Sequence, residues 1–451
     1  MAMAIILIFL VVGSVVFHFM SPWYFTEIAS NWGAIDTTVT ITFIVCGVVF
    51  VAANLFMAYC IIKYRNKGKN QRASYEPENK KLEGWLTAIT TVGVVAMLAP
   101  GLIVWGKFVS PPENAAIVEV VGQQWQWSFR FPGKDGQLGT SDNRKISIDN
   151  PFGMNEEDPY GQDDVLIEGN EVHIPIGLPI KFLLRSKDVL HNFTVPQFRV
   201  KMDLVPGMVP WIWLTPTRLG TFEILCEELC GIGHHTMRGK VTVVEEEQFH
   251  EWLAQQPTYA MLVAQQPGNA EAGKAHYQVC AACHGVQGEG IHALNAPKLS
   301  GQEDWYLERQ LTYFRDGIRG SNPNDLLGQQ MAPMAAGLVN ETLIRDIAAY
   351  VQTLPDEPSV QTVQGDVKNG RDLYTTCGKC HGKQGEGRWA VNAPRLAGMS
   401  DWYMVTQLKN FKHGVRGAQH PQDATGRQME SMVLSLNDKK INDLVAYINT
   451  F

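Results

Sequence analysis

The sequence predicts a multidomain membrane protein, in which transmembrane α-helices are followed by an all-β sandwich and then by two all-α domains. Three observations predict this order. Long uncharged apolar runs are confined to the first 109 of the 451 residues. From residue 115 to about 250, short runs of alternating apolar and polar residues are broken by Gly and Pro. After residue 270, two copies of one unit follow each other with a spacing of 97 residues.

The first quarter of the chain, residues 1–109, is the predicted transmembrane region. Each of its apolar runs is long enough to cross the ~30 Å hydrocarbon core of a bilayer as an α-helix. The expected helices cover about 2–20, 37–62 and 84–107. A cleaved signal peptide is the alternative for the first run, but this run lacks a basic N-terminal segment and a clear cleavage site. We therefore expect a retained helix.

The loop between the second and third runs is basic. Residues 63–72 contain five Lys and Arg, and Lys80 and Lys81 follow. Short loops rich in Lys and Arg remain on the cytoplasmic side of a membrane. The third run then leads outward, so the sequence predicts that all later residues lie on the periplasmic side. Cys46 and Cys60 fall within an apolar run, where we expect them to have no chemical role.

The β-rich region, 115–250, contains a loop of metal-binding side chains at 226–237, with the sequence CEELCGIGHHTM. Its donors are Cys226, Cys230, His234 and Met237. Thiolate, thioether and imidazole groups suit copper or zinc better than magnesium or calcium. A methionine favours an electron-transfer copper site, in which a weak axial thioether tunes the potential.

A further imidazole, His191, precedes this loop. One donor from an earlier strand and a late Cys/His/Met loop is the arrangement of a cupredoxin-like sandwich. Two Cys on one loop allow two coppers bridged by two thiolates. The alternative is a structural disulfide or a zinc knuckle, but neither would need His191 and Met237 at these positions. No open coordination position for a substrate is apparent, so we expect an electron relay without catalytic residues.

The two C-terminal units each contain a C-x-x-C-H motif. Cys280-Ala-Ala-Cys-His284 repeats as Cys377-Gly-Lys-Cys-His381. Such a motif attaches a haem c through two thioether bonds and supplies the proximal histidine. A thioredoxin-like site is the alternative, but the βαβ context is missing and the histidine would be unnecessary. The sequence predicts class I cytochrome c domains at 271–355 and 366–451, after a linker at 251–270.

The sixth haem ligand should be a methionine, which raises the reduction potential relative to a second histidine. Each unit offers two candidates in an M-x-x-M sequence, Met331 or Met334 and Met429 or Met432. The residues themselves leave this choice open.

Together with the sequence GQQWQWSF at 122–129, these motifs resemble cytochrome c oxidase subunit II of the caa type, the CuA subunit, fused to a tandem dihaem class I cytochrome c. The resemblance implies a binuclear CuA centre and two haems c. Its implied copper ligands are His191, Cys226, Cys230, His234, Met237 and the backbone carbonyl of Glu228. It also implies a magnesium ion at the Glu228 side chain, shared with subunit I.

The resemblance implies further roles. Electrons would enter the copper site at Trp125, whereas core packing is the alternative role for this side chain. Glu83 would lie at the entrance of a proton pathway, and the alternative is a carboxylate that stabilises a helix N-terminus. Similarity to tandem dihaem cytochromes selects Met331 and Met429 as axial ligands.

The resemblance implies an electron-transfer subunit of a bacterial haem–copper terminal oxidase. Electrons would pass from haems c through CuA to subunit I, where oxygen is reduced to water and protons are translocated. Expected partners are subunit I and other oxidase subunits, membrane lipid, and a cytochrome c or quinol-oxidising complex as donor. The expected location is the bacterial inner membrane. Alternatives are a CuA-containing nitric oxide reductase subunit and a stand-alone membrane-anchored carrier. The absence of a basic patch argues against nucleic acid binding.

The net charge of −7 is concentrated in the central region. Residues 110–269 contain 21 Asp and Glu against 12 Lys and Arg. Such a surface favours docking of a basic soluble protein, but a fused donor acts at high effective concentration instead. We therefore expect the first haem domain to cover part of this acidic surface.

Overall fold

The computed structural model describes the chain except residues 22–24, 66–74, 76, 266, 418–419 and 421. Most of the basic loop at 63–72 falls in one of these gaps, so its predicted cytoplasmic position lies outside the described residues.

Three long helices open the chain: α1 (Ala2–Met20), α2 (Gly33–Lys63) and α3 (Lys80–Phe108). Each is long and apolar enough to cross a membrane, and most of their large apolar side chains are exposed, as lipid-facing residues would be. Helix α2 begins four residues before its expected start. Its first turn carries Asp36, whose carboxylate accepts hydrogen bonds of 2.6 and 2.8 Å from Arg199. This ion pair fixes α2 to the β domain.

The central region forms ten strands: β1 (Ala116–Gln123), β2 (Gln126–Phe131), β3 (Val165–Glu168), β4 (Glu171–Pro175), β5 (Ile180–Ser186), β6 (His191–Val195), β7 (Val200–Leu204), β8 (Trp211–Leu214), β9 (Gly220–Leu225) and β10 (Arg238–Val244). One sheet has the order β3-β2-β1-β5-β8 and the other β4-β10-β9-β6-β7. Strand β1 runs parallel to β5, and β10 runs parallel to β4. The predicted all-β sandwich is confirmed, and fully buried side chains such as Trp127, Phe129, Phe182 and Phe193 fill its core.

The long connection at 132–164 differs from the exposed loop that its Gly, Asp and Pro content predicts. Phe152 and Met154 within it are fully buried. Its last residue, Asp164, is also buried and accepts a 2.8 Å hydrogen bond from Arg130. Because a buried guanidinium needs anionic partners, Arg130 draws the end of this loop into the domain.

A second buried carboxylate, Glu119, offsets the positive charge of the buried arginines. It accepts hydrogen bonds from Arg130 at 2.9 Å and Arg185 at 3.2 Å. Burial alone would raise the pKa of Glu119, but the two guanidinium groups outweigh it and lower the pKa below its usual value. The carboxylate therefore contributes stability above its unfolded pKa, and this contribution is lost as the pH falls through the folded pKa.

Replacing Glu119 with Gln should destabilise the β domain by about 3–5 kcal/mol, because the change leaves buried positive charge uncompensated. Differential scanning calorimetry of the β-domain transition measures this. The control is Glu223→Gln, which breaks the exposed pair with Arg238 and should cost less than about 1 kcal/mol. Equal losses in the two variants would contradict the argument.

Short helices α4 (Glu246–Ala254) and α5 (Tyr259–Val263) lead to the two repeats. The first repeat contains α6 (Ala270–His284), α7 (Asp304–Arg315), α8 (Leu326–Ala336) and α9 (Glu341–Gln352). The second contains α10 (Val367–His381), α11 (Asp401–Lys412), α12 (Ala424–Val433) and α13 (Asp438–Ile448). The predicted all-α domains are confirmed. Side-chain caps begin three helices in each repeat, at Asn269, Asp325 and Asn340 and at Asp366, Asp423 and Asn437.

The first and last helices of each repeat cross at a glycine. A Cβ atom on Gly273 would lie 1.9 Å from the carbonyl oxygen of Asp346, and one on Gly370 would lie 2.0 Å from that of Asp443. Only glycine permits these close backbone approaches. The crossing places the C-x-x-C-H end of the first helix against the rest of its repeat.

The two repeats pack against each other with near two-fold symmetry through Arg319 and Arg416. Arg319 donates to acceptors in both repeats, at 2.8, 2.5 and 3.0 Å: Gln310, Tyr403 and Gln407. Arg416 makes the reciprocal set, at 2.8, 3.2 and 2.8 Å: Gln407, Tyr306 and Gln310. Because each arginine donates hydrogen bonds to acceptors in both repeats, the repeats form one paired unit.

Candidate copper and haem sites

The predicted copper ligands come together at one end of the β-sandwich. Cys226 and Cys230 follow β9, and their Sγ atoms are 3.7 Å apart. The Cys230 Sγ atom is 3.6 Å from His234 Nδ1 and 3.8 Å from Met237 Sδ. His191, the first residue of β6, completes the group, and ligand atoms of His191, Cys226 and Cys230 all lie within 4.8 Å of one another. All five side-chain donors therefore converge from two segments of the chain.

The imidazole of His191 is held by a hydrogen bond at one of its two ring nitrogens. Its Nε2 atom lies 2.8 Å from the Asp188 carboxylate, whereas its buried Nδ1 atom has no hydrogen-bond partner among the described residues. An unsatisfied buried nitrogen costs roughly 1–3 kcal/mol. One ring nitrogen of His191 lies within 4.8 Å of both thiol sulfurs, so an imidazole and two thiols are offered together and the donor set fits copper.

The two thiols are electrostatically coupled. The hydrogen bond between the two thiols lowers the pKa of Cys226 below its usual value, with a further contribution from His191. The same contact raises the pKa of Cys230. Without a metal one thiol therefore holds the charge, whereas metal binding releases the second proton. The backbone carbonyl oxygen of Glu228 lies 3.3 Å from the Cys226 Sγ atom, and its role as a copper ligand stays a prediction.

Trp125 lies directly on the metal loop. Its indole Nε1 donates to the carbonyl of Cys230 at 3.1 Å, and a Cβ atom on Gly233 would lie 2.5 Å from the indole ring. Asp188 also accepts a 2.7 Å hydrogen bond from the backbone N–H of Gln124. This single carboxylate therefore positions both a metal-binding imidazole and the tryptophan segment. Its position three residues before His191 predicts either support of a metal ligand or a contact with subunit I, with a solvated loop acid as the alternative, and the hydrogen bond to His191 favours the first.

The second repeat covers Trp125. Gln428 on α12 donates to the Trp125 carbonyl at 2.6 Å, and Asn392 donates to Gln126 at 3.0 Å. The haem-motif residue Cys380 packs against the core of the β domain. At Trp125 the neighbouring residues therefore belong to the second repeat, while the expectation that the first haem domain covers part of the acidic surface stays a prediction. No motif marks Gln428, which is 303 positions from Trp125.

The two haem motifs occupy equivalent places. Helices α6 and α10 end at His284 and His381, and the paired cysteines precede them in the last turns: Cys280 and Cys283, and Cys377 and Cys380. The Nδ1 atom of His284 lies 2.8 Å from the Pro297 carbonyl, and that of His381 lies 2.7 Å from the Pro394 carbonyl. Burial lowers the pKa of both histidines. Each imidazole is thus neutral and oriented, with Nε2 left for iron, which fits haem attachment.

The candidate axial methionines lie on α8 and α12. In the first repeat Met334 is 53% exposed, whereas Met331 is half-buried. In the second repeat Met429 and Met432 are both half-buried. Exposure therefore favours Met331 over Met334, while the choice of Met429 stays a prediction.

Replacing Met331 with Ala should abolish the far-red sulfur-to-iron absorption band of one haem, because its axial thioether is lost. Met334→Ala is the matched control and should leave the band unchanged. Visible spectroscopy of the oxidised protein measures both. Persistence of the full band in Met331→Ala would overturn the assignment.

Glu83 lies in the first turn of α3. Its carboxylate accepts from the backbone N–H of Asn79 at 3.4 Å, and the Asn79 side chain accepts from Leu82 N–H at 3.0 Å. This contact supports the role of a carboxylate that caps the helix. Its role in proton uptake stays a prediction.

Comparison with known proteins finds similar chains for the β-rich region and for the two repeats. Residues 116–245 match the family described as cytochrome c oxidase subunit II, periplasmic domain, and 270–355 and 367–451 match the cytochrome c family. An alternative cytochrome c oxidase subunit 2 of Bradyrhizobium diazoefficiens is 59% identical over 262 residues, which cover 58% of this chain and 94% of the relative. The cytochrome c oxidase subunit 2 of Cereibacter sphaeroides is 29% identical over 221 residues, 47% of this chain and 72% of the relative. Among solved structures, reduced recombinant cytochrome c4 from Pseudomonas stutzeri is 30% identical with a TM-score of 0.33, covering 40% of this chain and 97% of that one.

Proposed function

The chain belongs to the cytochrome c oxidase subunit II family, and on this premise we propose that it holds a binuclear CuA centre and two haems c. It is the electron-transfer subunit of a haem–copper terminal oxidase that works with subunit I, where oxygen is reduced. The observation that carries the proposal is the convergence of two thiols, two imidazoles and a thioether at one end of the β-sandwich.

The proposed copper ligands are His191, Cys226, Cys230, His234, Met237 and the carbonyl of Glu228. When bound, the copper ions and haems supply reversible one-electron transfer. The residues keep the donors in place: Asp188 fixes the imidazole of His191, and the carbonyl of Cys230 accepts from both Gln124 and Trp125. Such partners preserve the geometry of metal ligands.

The proposed haem ligands are Cys280, Cys283, His284 and Met331 in the first repeat, and Cys377, Cys380, His381 and Met429 in the second. The carbonyls of Pro297 and Pro394 hold the two proximal imidazoles by their Nδ1 atoms. A neutral imidazole held in this way donates its Nε2 lone pair to iron.

We also propose that the second repeat is the immediate donor to copper. Its Cys380 and Gln428 lie against the copper domain at Trp125, while the first repeat is held to the second through Arg319 and Arg416. The electron path would therefore run from the first repeat to the second and then across Trp125. Trp125 is thus the entrance to the copper site for an internal donor.

The remaining proposals concern the membrane and the partners. The three apolar helices anchor the chain in a membrane, and we place it in the bacterial inner membrane with its copper and haem domains on the periplasmic side. A cytochrome c or a quinol-oxidising complex would supply electrons. Glu83 is proposed at the proton entrance of the complex, and the half-buried side chain of Glu228 would bind a magnesium ion shared with subunit I.

The test is to purify the oxidase complex and count its cofactors. Beyond the metal centres that subunit I contributes, we expect about two copper ions and two haems c per chain, as the donor sets require. Oxygen uptake driven by ascorbate with tetramethylphenylenediamine, a small diffusible reductant, should accompany them. A single copper or zinc ion, or a single haem c, would contradict the proposal.

A further inference from the structure

The second repeat meets the copper domain through one face. Its helix α12 packs against the turn His234–Thr236, and Gln428 on that helix donates to Trp125. The turn after its haem motif contributes the carbonyl of Ala390, which accepts from Gln123 at 3.4 Å. We call this surface the docking face: Cys380, Val391 and Gln428, together with Ala424 and Met432, which lie one helical turn on either side of Gln428. Its helical members are four residues apart and therefore share one side of α12.

The first repeat carries the same face at matched positions. We call it the distal face, formed by Cys283, Leu294, Leu326, Gln330 and Met334. All five side chains are exposed. Leu294 is 50% exposed, whereas its counterpart Val391 is 7% exposed. Because the two repeats share one fold, this difference reflects what packs on each face.

The stretches that contain the distal face also carry fewer charged residues than the matched stretches of the second repeat. The stretches at 279–286 and 326–338 contain no Lys, Arg, Asp or Glu. The matched stretches of the second repeat contain Lys379 and Lys383, and Arg427 and Glu430. Apolar side chains that cluster on an exposed surface without charges mark a binding surface. In a soluble domain they would otherwise favour aggregation.

We propose that the distal face is the docking surface for a separate one-electron carrier protein whose exposed redox group is ringed by uncharged, apolar residues. The internal contact at Trp125 shows which chemistry this face recognises: a backbone carbonyl, neutral amides and an apolar cluster. In the step itself one electron leaves the reduced carrier and reduces the first repeat's haem; no bond forms and no proton moves. This inference rests on the proposed function.

The same geometry argues against direct docking of a basic carrier at the copper site. Trp125 is only 7% exposed, since its indole packs on the metal loop at Cys230 and Gly233 and Gln428 of the second repeat lies against its backbone. The acidic surface of the copper domain would attract such a carrier, but not to the tryptophan. Binding at the distal face should instead depend weakly on ionic strength, since screening acts on charges.

The test uses the purified holo complex and two probes: a cytochrome c with lysines around its haem edge, and its variant with those lysines replaced by Gln. Both proteins are kept oxidised, and equilibrium binding is measured by biolayer interferometry. Compared with the lysine-ringed probe, the Gln-ringed probe should lose at least about fivefold more affinity at physiological salt when the distal face is made acidic. Its affinity should change by less than about twofold between roughly 20 and 300 mM salt.

Leu326→Glu combined with Gln330→Glu should weaken binding of the Gln-ringed probe by about tenfold, because it places charge in the centre of an apolar contact. Val360→Glu is the control, since Val360 is 82% exposed and lies outside the face; it should leave binding unchanged. Haem absorption spectra check that the variants fold. If the double variant does not fold, Leu294→Glu tests the same face.

A steep loss of Gln-ringed probe binding in salt, or unchanged binding of that probe by the face variants, would overturn the inference. Failure of the proposed function is a separate result. It would appear as missing copper or haem, or as no oxygen uptake with the small reductant, in the unmodified complex. Binding between oxidised proteins does not depend on that turnover.

Discussion

Replacing Cys230 with Ser is expected to remove the copper centre and to stop electron transfer to subunit I while both haems remain attached. Cys230 is the most connected donor, because its Sγ atom lies within 3.8 Å of Cys226, His234 and Met237. Serine offers a hard hydroxyl in place of a soft bridging thiolate, which copper disfavours. Oxygen uptake should fall by more than about 100-fold. This loss is larger than is usual for changing a residue that only hydrogen-bonds to a metal ligand.

Copper and haem content per chain, together with oxygen uptake, measure this effect. The matched control is Cys46→Ser, which makes the same chemical change in α2, away from the metal loop. It should keep full copper content and full uptake. Two coppers retained in Cys230→Ser would refute the proposed bridging role.

The second large effect concerns the order of the haems. A Cys377→Ser/Cys380→Ser variant should lose the haem next to Trp125, and electrons entering at the first repeat should no longer reach copper. The rate at which an external carrier reduces copper should then fall to the background level measured in the Cys230→Ser variant. The contact that predicts this is the packing of Cys380 and Gln428 on the copper domain.

The matched variant Cys280→Ser/Cys283→Ser removes the other haem. In this variant the external carrier should also no longer reduce copper. Oxygen uptake with the small reductant should persist, since the second repeat still lies against Trp125. Stopped-flow spectroscopy at copper and haem wavelengths separates these steps. If the variant of the first repeat, and not that of the second, blocked copper reduction by the small reductant, the order would be reversed.

The sequence by itself determined the chemistry of this protein. The copper loop at 226–237 and each C-x-x-C-H motif place most of their donors within a few residues, so the ligand type is readable before any fold is known. The membrane helices follow from hydropathy, because a spanning helix satisfies its own backbone in lipid. The matched repeats predicted two similar domains.

Only the tertiary structure decided how these parts meet. It placed the second repeat on Trp125, joined Asp188 to both His191 and Gln124, and drew Asp164 from an apparently exposed loop to Arg130. Such contacts depend on surfaces that are distant in sequence and contain ordinary Gln, Asn and Asp residues. The two repeats also carry nearly the same motifs, so their local chemistry is equivalent. Long-range packing alone makes one repeat the neighbour of copper and leaves the other exposed.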